Sequence, residues 1–515
     1  MPTDNQTASN GVWRSDAGPG AVANGDSDPA GKPIHDYRCL PVKSEKRHSG
    51  PTNHVPRRTQ LEATRLFIEE FGDELRYCAA QRRWLFWDGV RWIHDQDGHV
   101  IRLATRASSL IAREALQAPD EDSRANFYRW AARAESQCYI KAIVELAKTA
   151  PNVPVSVTEL DRDPMLLCVQ NGAIDLRTGR WTQSQKGQLI TKQAPVRYDP
   201  TAKCPRWQQF IDEITGGDVE LCAYLQRCAG YWLTGLTREQ CFFILYGDGS
   251  NGKSVFIRTL QTLMGDYAVS TPPETLMEKR SSGAASPDLA RLRGSRLAVA
   301  SESSSTSVLA EPLVKQLTGQ DKVVCRDLYS GFFEYQPAFK LVLSTNHRPD
   351  IQGTDHAIWR RIHLIPFRMT VREDRQDKQL GEKLEAEFPG ILNWVIVGAL
   401  DYQENGLKRP RCVLDATAAY RSDMDVLGDW LKEECEDIPS ATTPVKNLHD
   451  AYFSWCIREG HSPIGKGKFG DELEKRGYRR DRKGGARVHI GIKLKAAATE
   501  HTQANGIAAI GSTET

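Results

Sequence analysis

Eight consecutive residues, Gly247-Asp248-Gly249-Ser250-Asn251-Gly252-Lys253-Ser254, combine glycines, a lysine and a hydroxyl at the spacing that a polyphosphate requires. Backbone N–H groups can wrap phosphate oxygens only where side chains do not obstruct them. Gly247, Gly249 and Gly252 meet that condition, ahead of a helix that would aim its positive end at the anion. Lys253 would reach the β- and γ-phosphates, and the Ser254 hydroxyl would take one position on Mg²⁺. The pattern therefore predicts ATP and Mg²⁺ as ligands. A chance glycine-rich turn is the alternative, and the flanks count against it. The apolar run Cys241-Phe242-Phe243-Ile244-Leu245-Tyr246 has the length of a buried strand, and Phe256, Leu260 and Leu263 recur on one helix face before Gly265.

Two further apolar segments end in polar residues, as sheet-based nucleotide sites place chemistry at strand C-termini. Arg296-Leu-Ala-Val-Ala-Ser301-Glu302 sets a carboxylate where it could polarise the attacking water or help hold Mg²⁺. Lys340-Leu-Val-Leu-Ser-Thr345-Asn346 sets an amide where it could orient that water. Outside this context a Glu after a strand is unremarkable and an Asn there is commonly a turn former. Between them, residues 322–335 read as two strands joined at Ser330-Gly331, with Lys322 and Arg326 on the first. Trp359-Arg360-Arg361 then precedes the apolar Ile362-His-Leu-Ile365. These arginines are either the finger that completes a neighbour's site or an ordinary exposed ion pair.

A chain of 515 residues must be divided among several domains to position these groups. A net charge of +2 and 40% apolar residues fit a soluble, near-neutral protein. Its apolar stretches fall short of the ~20 residues of a membrane span, and the polar N-terminus has no signal-peptide core, so a cytoplasmic protein is expected. The twelve cysteines include no C-x-x-C pair, which argues against a zinc ribbon or disulfide framework.

Residues 1–58 are rich in Gly, Pro, Ser, Asn and Asp and are expected to form a disordered leader. Residues 59–215 read as an α+β accessory domain. It has a helix from Leu61, a hairpin through Arg83-Trp84-Leu85-Phe86-Trp87 and Val90-Arg91-Trp92-Ile93, and a helical region over 124–148. A second hairpin is expected about Asn171-Gly172, followed by a turn at Thr178-Gly179. The three tryptophans of the first hairpin suit cross-strand packing better than base stacking. A helix from Asp218 leads into the ATPase core, 216–400.

In 401–495, Leu448, Tyr452 and Trp455 share one helix face and Phe469 and Leu473 another, before a hairpin about Gly484-Gly485. Helices followed by a hairpin suggest a winged helix. Arg479, Arg480, Arg482, Lys483 and Arg487 against Asp481 make that hairpin a candidate DNA contact. Protein docking is the alternative. Residues 496–515 are expected to be a disordered tail.

In their order these motifs resemble superfamily 3 helicases of the phage and plasmid primase-helicase branch, which includes the poxvirus primase-helicase. The resemblance runs from about Leu61 to Leu494. It takes in Asn171-Gly172-Ala-Ile-Asp175-Leu176, Ala202-Lys-Cys204-Pro205-Arg206-Trp207 and Gly230-Tyr231-Trp-Leu-Thr234-Gly235, then the Lys253 loop, Glu302, Lys315 to Asp321, Asn346 and Trp359-Arg360-Arg361. The implied fold is α/β: a P-loop, AAA+-like superfamily 3 core between the accessory domain and the winged helix.

The resemblance implies that Lys253 and Ser254 serve phosphate and Mg²⁺, Glu302 is the Walker B acid and Asn346 the sensor, and Arg360 or Arg361 is a trans-acting finger. Residues 322–335 would be the DNA-gripping hairpin. Many members carry two adjacent acids where Ser301-Glu302 stands here, which leaves open what accompanies Glu302 at Mg²⁺. The resemblance further implies a homo-hexameric ring that unwinds DNA. Residues 1–58 show no acidic polymerase triad or zinc motif, so primer synthesis is not expected of this chain, and a separate primase or polymerase is a candidate partner. An ATP-regulated origin-binding initiator, or a remodeller without unwinding, is the competing reading.

Overall fold

The computed structural model describes residues 58–278, 287–301, 308–326, 332–353 and 356–495. The expected tail lies outside these residues, as does the expected leader apart from Arg58. So do Glu302 and the Ser330-Gly331 turn.

Strands β1 (Leu75–Cys78), β2 (Arg83–Trp87) and β3 (Trp92–His94) form an antiparallel sheet in that order. The hairpin from Arg83 forms as expected. The Asp88 carboxylate caps its turn by accepting from the Val90 and Arg91 N–H groups, each at 2.7 Å. Trp92 is fully buried and meets Trp87 edge-on at 5.6 Å, so both indoles serve packing. Helix Gln60–Phe71 is capped by Thr59, and it buries Ala63 and Phe67 while Leu61 stays 68% exposed. The helical region over 124–148 is two helices, Glu121–Ala134 and Gln137–Ala147. Their buried Trp130 and Ile143 join the same cluster as Phe67.

Strands β4 (Leu166–Val169), β5 (Gly172–Asp175) and β6 (Arg180–Thr182) make a second antiparallel sheet with the expected turns. Leu167 and Ile174 pack into the same cluster as Phe243 and Phe256, so this hairpin is buried against the central sheet.

That sheet contains β7 (Phe242–Tyr246), β8 (Ala268–Thr271), β9 (Leu297–Ser301), β12 (Lys340–Thr345) and β13 (Ile362–Pro366). Its order is β13-β7-β12-β9-β8, and every pair is parallel. Between β9 and β12 lies a separate antiparallel pair, β10 (Val323–Arg326) and β11 (Phe332–Tyr335). Strand alternation divides β7 between two cores. Phe243 and Leu245 pack with Trp232, Phe256 and Leu260 on one face, while Phe242 and Ile244 pack with Val314, Leu317 and Ile358 on the other. Each such side chain contributes roughly 1.5–3 kcal/mol by leaving water, so a strand covered on both faces anchors the layer.

Helix Val219–Leu233 begins at Asp218, whose carboxylate accepts from the Leu221 N–H, and it crosses helix Phe388–Asn405 closely. A Cβ on Gly230 would lie 2.0 Å from the Ala399 nitrogen, and one on Gly398 would lie 2.1 Å from the Gln226 carbonyl oxygen. Only glycine fits either position. The helix ends on two buried side-chain donors: Arg296 donates to the Leu233 carbonyl at 2.9 Å, and Lys340 to that of Thr234. Such donors suit carbonyls that have no partner within the helix.

The expected boundary at residue 400 falls inside helix Phe388–Asn405, and helix Arg411–Asp423 packs on β13, where the Thr417 hydroxyl accepts from the Leu364 N–H at 3.1 Å. A separate core begins at Leu427. It joins helices Val426–Glu434, Val445–Glu459 and Lys466–Lys475 to an antiparallel sheet of β14 (Cys435–Pro444), β16 (Ala486–Leu494) and β15 (Arg479–Lys483). Trp430 meets Tyr452 at 5.5 Å and Phe469 at 5.7 Å at its centre. The β15–β16 turn is the expected Gly484-Gly485, at φ 58° and 81°.

Candidate functional site

The glycine-rich loop leaves the carboxyl end of β7 and enters helix Lys253–Met264. Gly252 sits at φ 83°, and a Cβ there would lie 2.4 Å from Ile214 Cγ2. A Cβ on Gly247 would lie 2.3 Å from the Phe367 carbonyl oxygen. Gly249 faces open space, while Asp248, Gly249 and Ser250 are exposed and leave their backbone accessible. Residues following β13 strap this loop down. The Phe367 N–H donates to the Tyr246 carbonyl at 2.7 Å, and the Val371 N–H to the Ser250 carbonyl at 2.8 Å.

Asn251 fastens the loop from within. Its amide donates to the Phe367 carbonyl at 3.2 Å, and its oxygen accepts from Lys253 Nζ at 3.0 Å. The Lys253 ammonium also donates to the carbonyls of Gly247 at 2.5 Å and Asp248 at 3.1 Å, and to Asn346 Oδ1 at 2.9 Å. The amine thus ties the loop to the end of β12. Burial pulls its pKa below the ordinary lysine value, with the charge of Asp248 acting the other way. Ser254 is exposed beside it.

Register explains why Asn346 is within reach. Thr345 of β12 pairs with Tyr246 of β7, so Asn346 lies level with Gly247. Ser344 pairs with Ser301 of β9 on the other side, which brings three strand ends together. The Glu302 that follows Ser301 lies outside the described residues. Among the described residues no group of three His, Cys, Asp or Glu side chains could hold a metal ion. A hydroxyl and a lysine beside an open, glycine-rich backbone fit a metal that is carried mainly by phosphate oxygens.

Arg360 and Arg361 stand elsewhere. The Arg361 carbonyl accepts from the Phe242 N–H at 2.6 Å, which places both arginines at the start of β13 and β7. At ~3.3 Å per residue, the length of β7 sets them about 17 Å from the loop of the same chain. The two also differ from each other. Arg361 is buried, donating to Thr318 Oγ1 at 3.2 Å and to the Ala357 carbonyl at 2.6 Å. Arg360 is exposed, with one hydrogen bond to Gln240 at 2.9 Å.

On the β10–β11 pair, Lys322 is exposed and lies 3.4 Å from Glu334, while the Arg326 guanidinium sits 5.8 Å from the centroid of the exposed Phe332 ring. On the C-terminal hairpin, Arg479, Arg480, Arg482, Lys483 and Arg487 are all exposed. Arg480 is engaged by Asp471 and Glu474 of helix Lys466–Lys475. A groove of ≈ 1010 Å³ lies beside them, lined by Lys446, Lys466, Arg482 and Arg487. Sequence reasoning missed the strap after β13 and the clamping role of Asn251. Neither carries a signal beyond its place in an apolar strand end or a variable loop position.

A five-stranded parallel sheet with polar groups gathered at the carboxyl ends of its strands defines an α/β protein of the class that binds ligands at that edge. Three family models match in chain order. They are "D5 N terminal like" over residues 64–216, a family of unknown function, DUF5906, over 245–361, and "Poxvirus D5 protein-like" over 422–483. A helicase-named protein of Acanthamoeba polyphaga mimivirus is 28% identical over 302 residues, covering 54% of this chain and 31% of the relative. A primase-named protein of African swine fever virus (isolate Tick/Malawi/Lil 20-1/1983) is 23% identical over 382 residues, covering 66% and 39%. The chain therefore spans about a third of the length of the curated relatives it matches. The solved A-form apo C-terminal region of NrS-1 aligns with 83% of this chain and 98% of its own, at 9% identity and a TM-score of 0.45. The two D5 family models and the helicase-named relatives support a D5-type primase-helicase family for the matched segments, with which the superfamily 3 resemblance is consistent. Among the described residues no helix is long and apolar enough to cross a membrane.

Proposed function

We propose that the chain is the ATP-hydrolysing motor of a replicative DNA helicase, acting as a ring-shaped homo-oligomer, with six copies the expected number. Its setting would be a phage, a plasmid or an integrated element. The observation that carries this reading is the Lys253 ammonium, held among Gly247, Asp248, Asn251 and Asn346 at the meeting of a glycine-rich loop and two strand ends. An incoming triphosphate would draw the amine off these carbonyls, while the exposed backbone of Asp248, Gly249 and Ser250 stays accessible to phosphate oxygens. Asn346, released from Lys253, would orient the attacking water. Ser254 and the triphosphate would hold Mg²⁺, which when bound neutralises charge on the transferred phosphoryl group. Glu302 is assigned the Walker B role from its place after β9.

Arg360 is the better finger of the pair, because Arg361 is spent inside its own chain. Standing at the opposite sheet edge, Arg360 can complete a site only across a head-to-tail interface, and such interfaces close into rings. Lys322, just before β10, and Arg326, at its end, would grip a DNA strand in the ring. The C-terminal helices and hairpin, in a winged-helix order, would present Arg479, Arg482, Lys483 and Arg487 to duplex phosphates, with Arg480 held for packing. A primase-named relative aligns with 66% of this chain. For this chain, primer synthesis is assigned to a separate primase or polymerase.

Nucleotide binding tests the core of the reading. Lys253→Ala should weaken ATP affinity and abolish hydrolysis, and Asn346→Ala should abolish hydrolysis while ATP still binds. Hydrolysis at the normal rate in both variants would refute the site.

The basic groove beside the C-terminal hairpin favours one alternative, an origin-binding initiator in which ATP controls assembly only. Intact replication by Glu302→Gln would support it.

A further inference from the structure

A cleft of ≈ 640 Å³ opens at the sheet edge opposite the glycine-rich loop, beside helix Arg411–Asp423. Arg360, Arg409 and Arg421 stand on its rim, and Trp359, Leu414 and Met424 form its wall. The carboxylate that also lines it is already committed: Asp425 accepts from the Gly428 N–H at 3.0 Å and from Arg476. Arg409 is exposed and, among the described residues, has no hydrogen bond or ion pair. The loop that presents it is nonetheless rigid. Buried Arg227 donates to the carbonyls of Leu407 at 3.0 Å and Lys408 at 3.3 Å, and is itself fixed by Asp401 at 3.0 Å. Lys408 is held at φ 46°, a conformation that a non-glycine residue adopts only when its surroundings impose it. A strained, pinned loop that offers an unpartnered guanidinium to a basic cleft is built to meet an anion.

We propose that Arg409 and Arg360 act as a two-point clamp on the phosphates of a nucleotide held by the glycine-rich loop of an adjacent copy of this chain. The inference rests on the ring ATPase reading above and deepens it. Within one chain Arg360 and the loop lie at opposite ends of β7, so a second copy is needed to bring this arginine pair onto a loop-bound nucleotide. The ligand chemistry fits. A triphosphate carries several negative charges spread over neighbouring oxygens, and two guanidinium groups fixed on separate elements can contact two of them where one cannot.

The test uses the full chain with Arg409→Ala, Arg409→Lys and Arg360→Ala, measuring steady-state ATP hydrolysis, binding of a fluorescent ATP analogue and thermal unfolding. Arg409→Ala should lose about a hundredfold or more in turnover, as removal of a transition-state donor does, with its own nucleotide affinity and unfolding midpoint unchanged. Arg409→Lys should recover only part of that loss. Co-expression of Arg409→Ala with Lys253→Ala should return activity, because about one interface in four then pairs an intact loop with an intact Arg409. A merely structural defect would not be complemented in this way. If Arg360→Ala is inactive while Arg409→Ala turns over normally, or is not rescued in the mixture, the clamp is wrong and the ring reading stands. If Arg360→Ala and Arg409→Ala both turn over normally, the ring reading fails with it.

Discussion

Replacing Arg361 by alanine and replacing Arg360 by alanine should produce opposite phenotypes. Arg361 is 9% exposed and donates to Thr318 Oγ1 and the Ala357 carbonyl. Hydrogen bonds from a charged donor contribute roughly 1.5–3 kcal/mol each. Thr318 keeps its own bond to the Val314 carbonyl, so the carbonyl of Ala357 suffers most. A net loss of about 3 kcal/mol follows, which at ~2–4 °C per kcal/mol for a domain of 150–250 residues lowers the unfolding midpoint by roughly 6–12 °C. Arg360 is exposed and holds one neutral partner, Gln240, so its loss should cost about 0.5 kcal/mol or less. Its effect should fall on turnover instead, by the ~10³ to 10⁵ that an arginine finger supplies, with ATP binding intact. Differential scanning fluorimetry and a coupled ATPase assay on the two purified variants decide the matter. A stable, inactive Arg361→Ala beside a destabilised, active Arg360→Ala would refute the assignment.

Other expectations follow from single sites. His363 is buried against Tyr224, and burial, with a smaller push from Arg409, lowers its pKa from 6.5 to about 3. Below pH 6.5 the unfolded chain therefore takes up a proton that the native chain refuses. The stability this residue contributes is complete above pH 6.5 and falls with pH, by ~2 kcal/mol at pH 5. Urea titrations at pH 7.5 and 5 should show a smaller acid loss in His363→Phe, and an equal loss would count against it. Gly252→Ala must place a Cβ 2.4 Å from Ile214 Cγ2 at φ 83°, so it should abolish ATP binding even where the chain folds. Calorimetry showing normal affinity would contradict that. Replacing Arg482, Lys483 or Arg487 by alanine should each reduce the salt slope of duplex binding by about 1. Arg480→Ala, which breaks the pairing with Asp471 and Glu474, should show mainly as lowered stability of the C-terminal helices.

How far the molecule could be read from its sequence depended on whether the signal was local. Four of the five strands of the central sheet, β7, β9, β12 and β13, were legible because each is an uninterrupted apolar run, and the hairpins because Asp88-Gly89, Asn171-Gly172 and Gly484-Gly485 are turn formers flanked by β-rich segments. Edge strand β8 and the long β14, Cys435 to Pro444, were not foreseen, since Ala-Val-Ser-Thr and Glu-Asp-Ile-Pro-Ser lack alternation strong enough to stand out. The helical region expected over 124–148 forms as two helices divided at Glu135-Ser136, a division that the expectation did not specify. At the site, the loop and Asn346 could be named because motif order is one-dimensional. The sequence does not show that Arg360 and Arg361 differ in burial, because adjacent residues at a helix-to-strand junction face opposite sides, one into Thr318 and the other outward. Arg409 had no sequence signal, its significance lying in the Arg227 contacts that hold its loop.

The most direct test of the central claim is displacement of one strand from a forked DNA duplex by the purified chain with ATP and Mg²⁺, beside the Lys253→Ala variant under identical salt. Strand separation by the wild type that disappears in Lys253→Ala is the result predicted for a helicase motor driven from this loop. ATP hydrolysis without strand separation, or strand separation that survives the loss of Lys253, would contradict it.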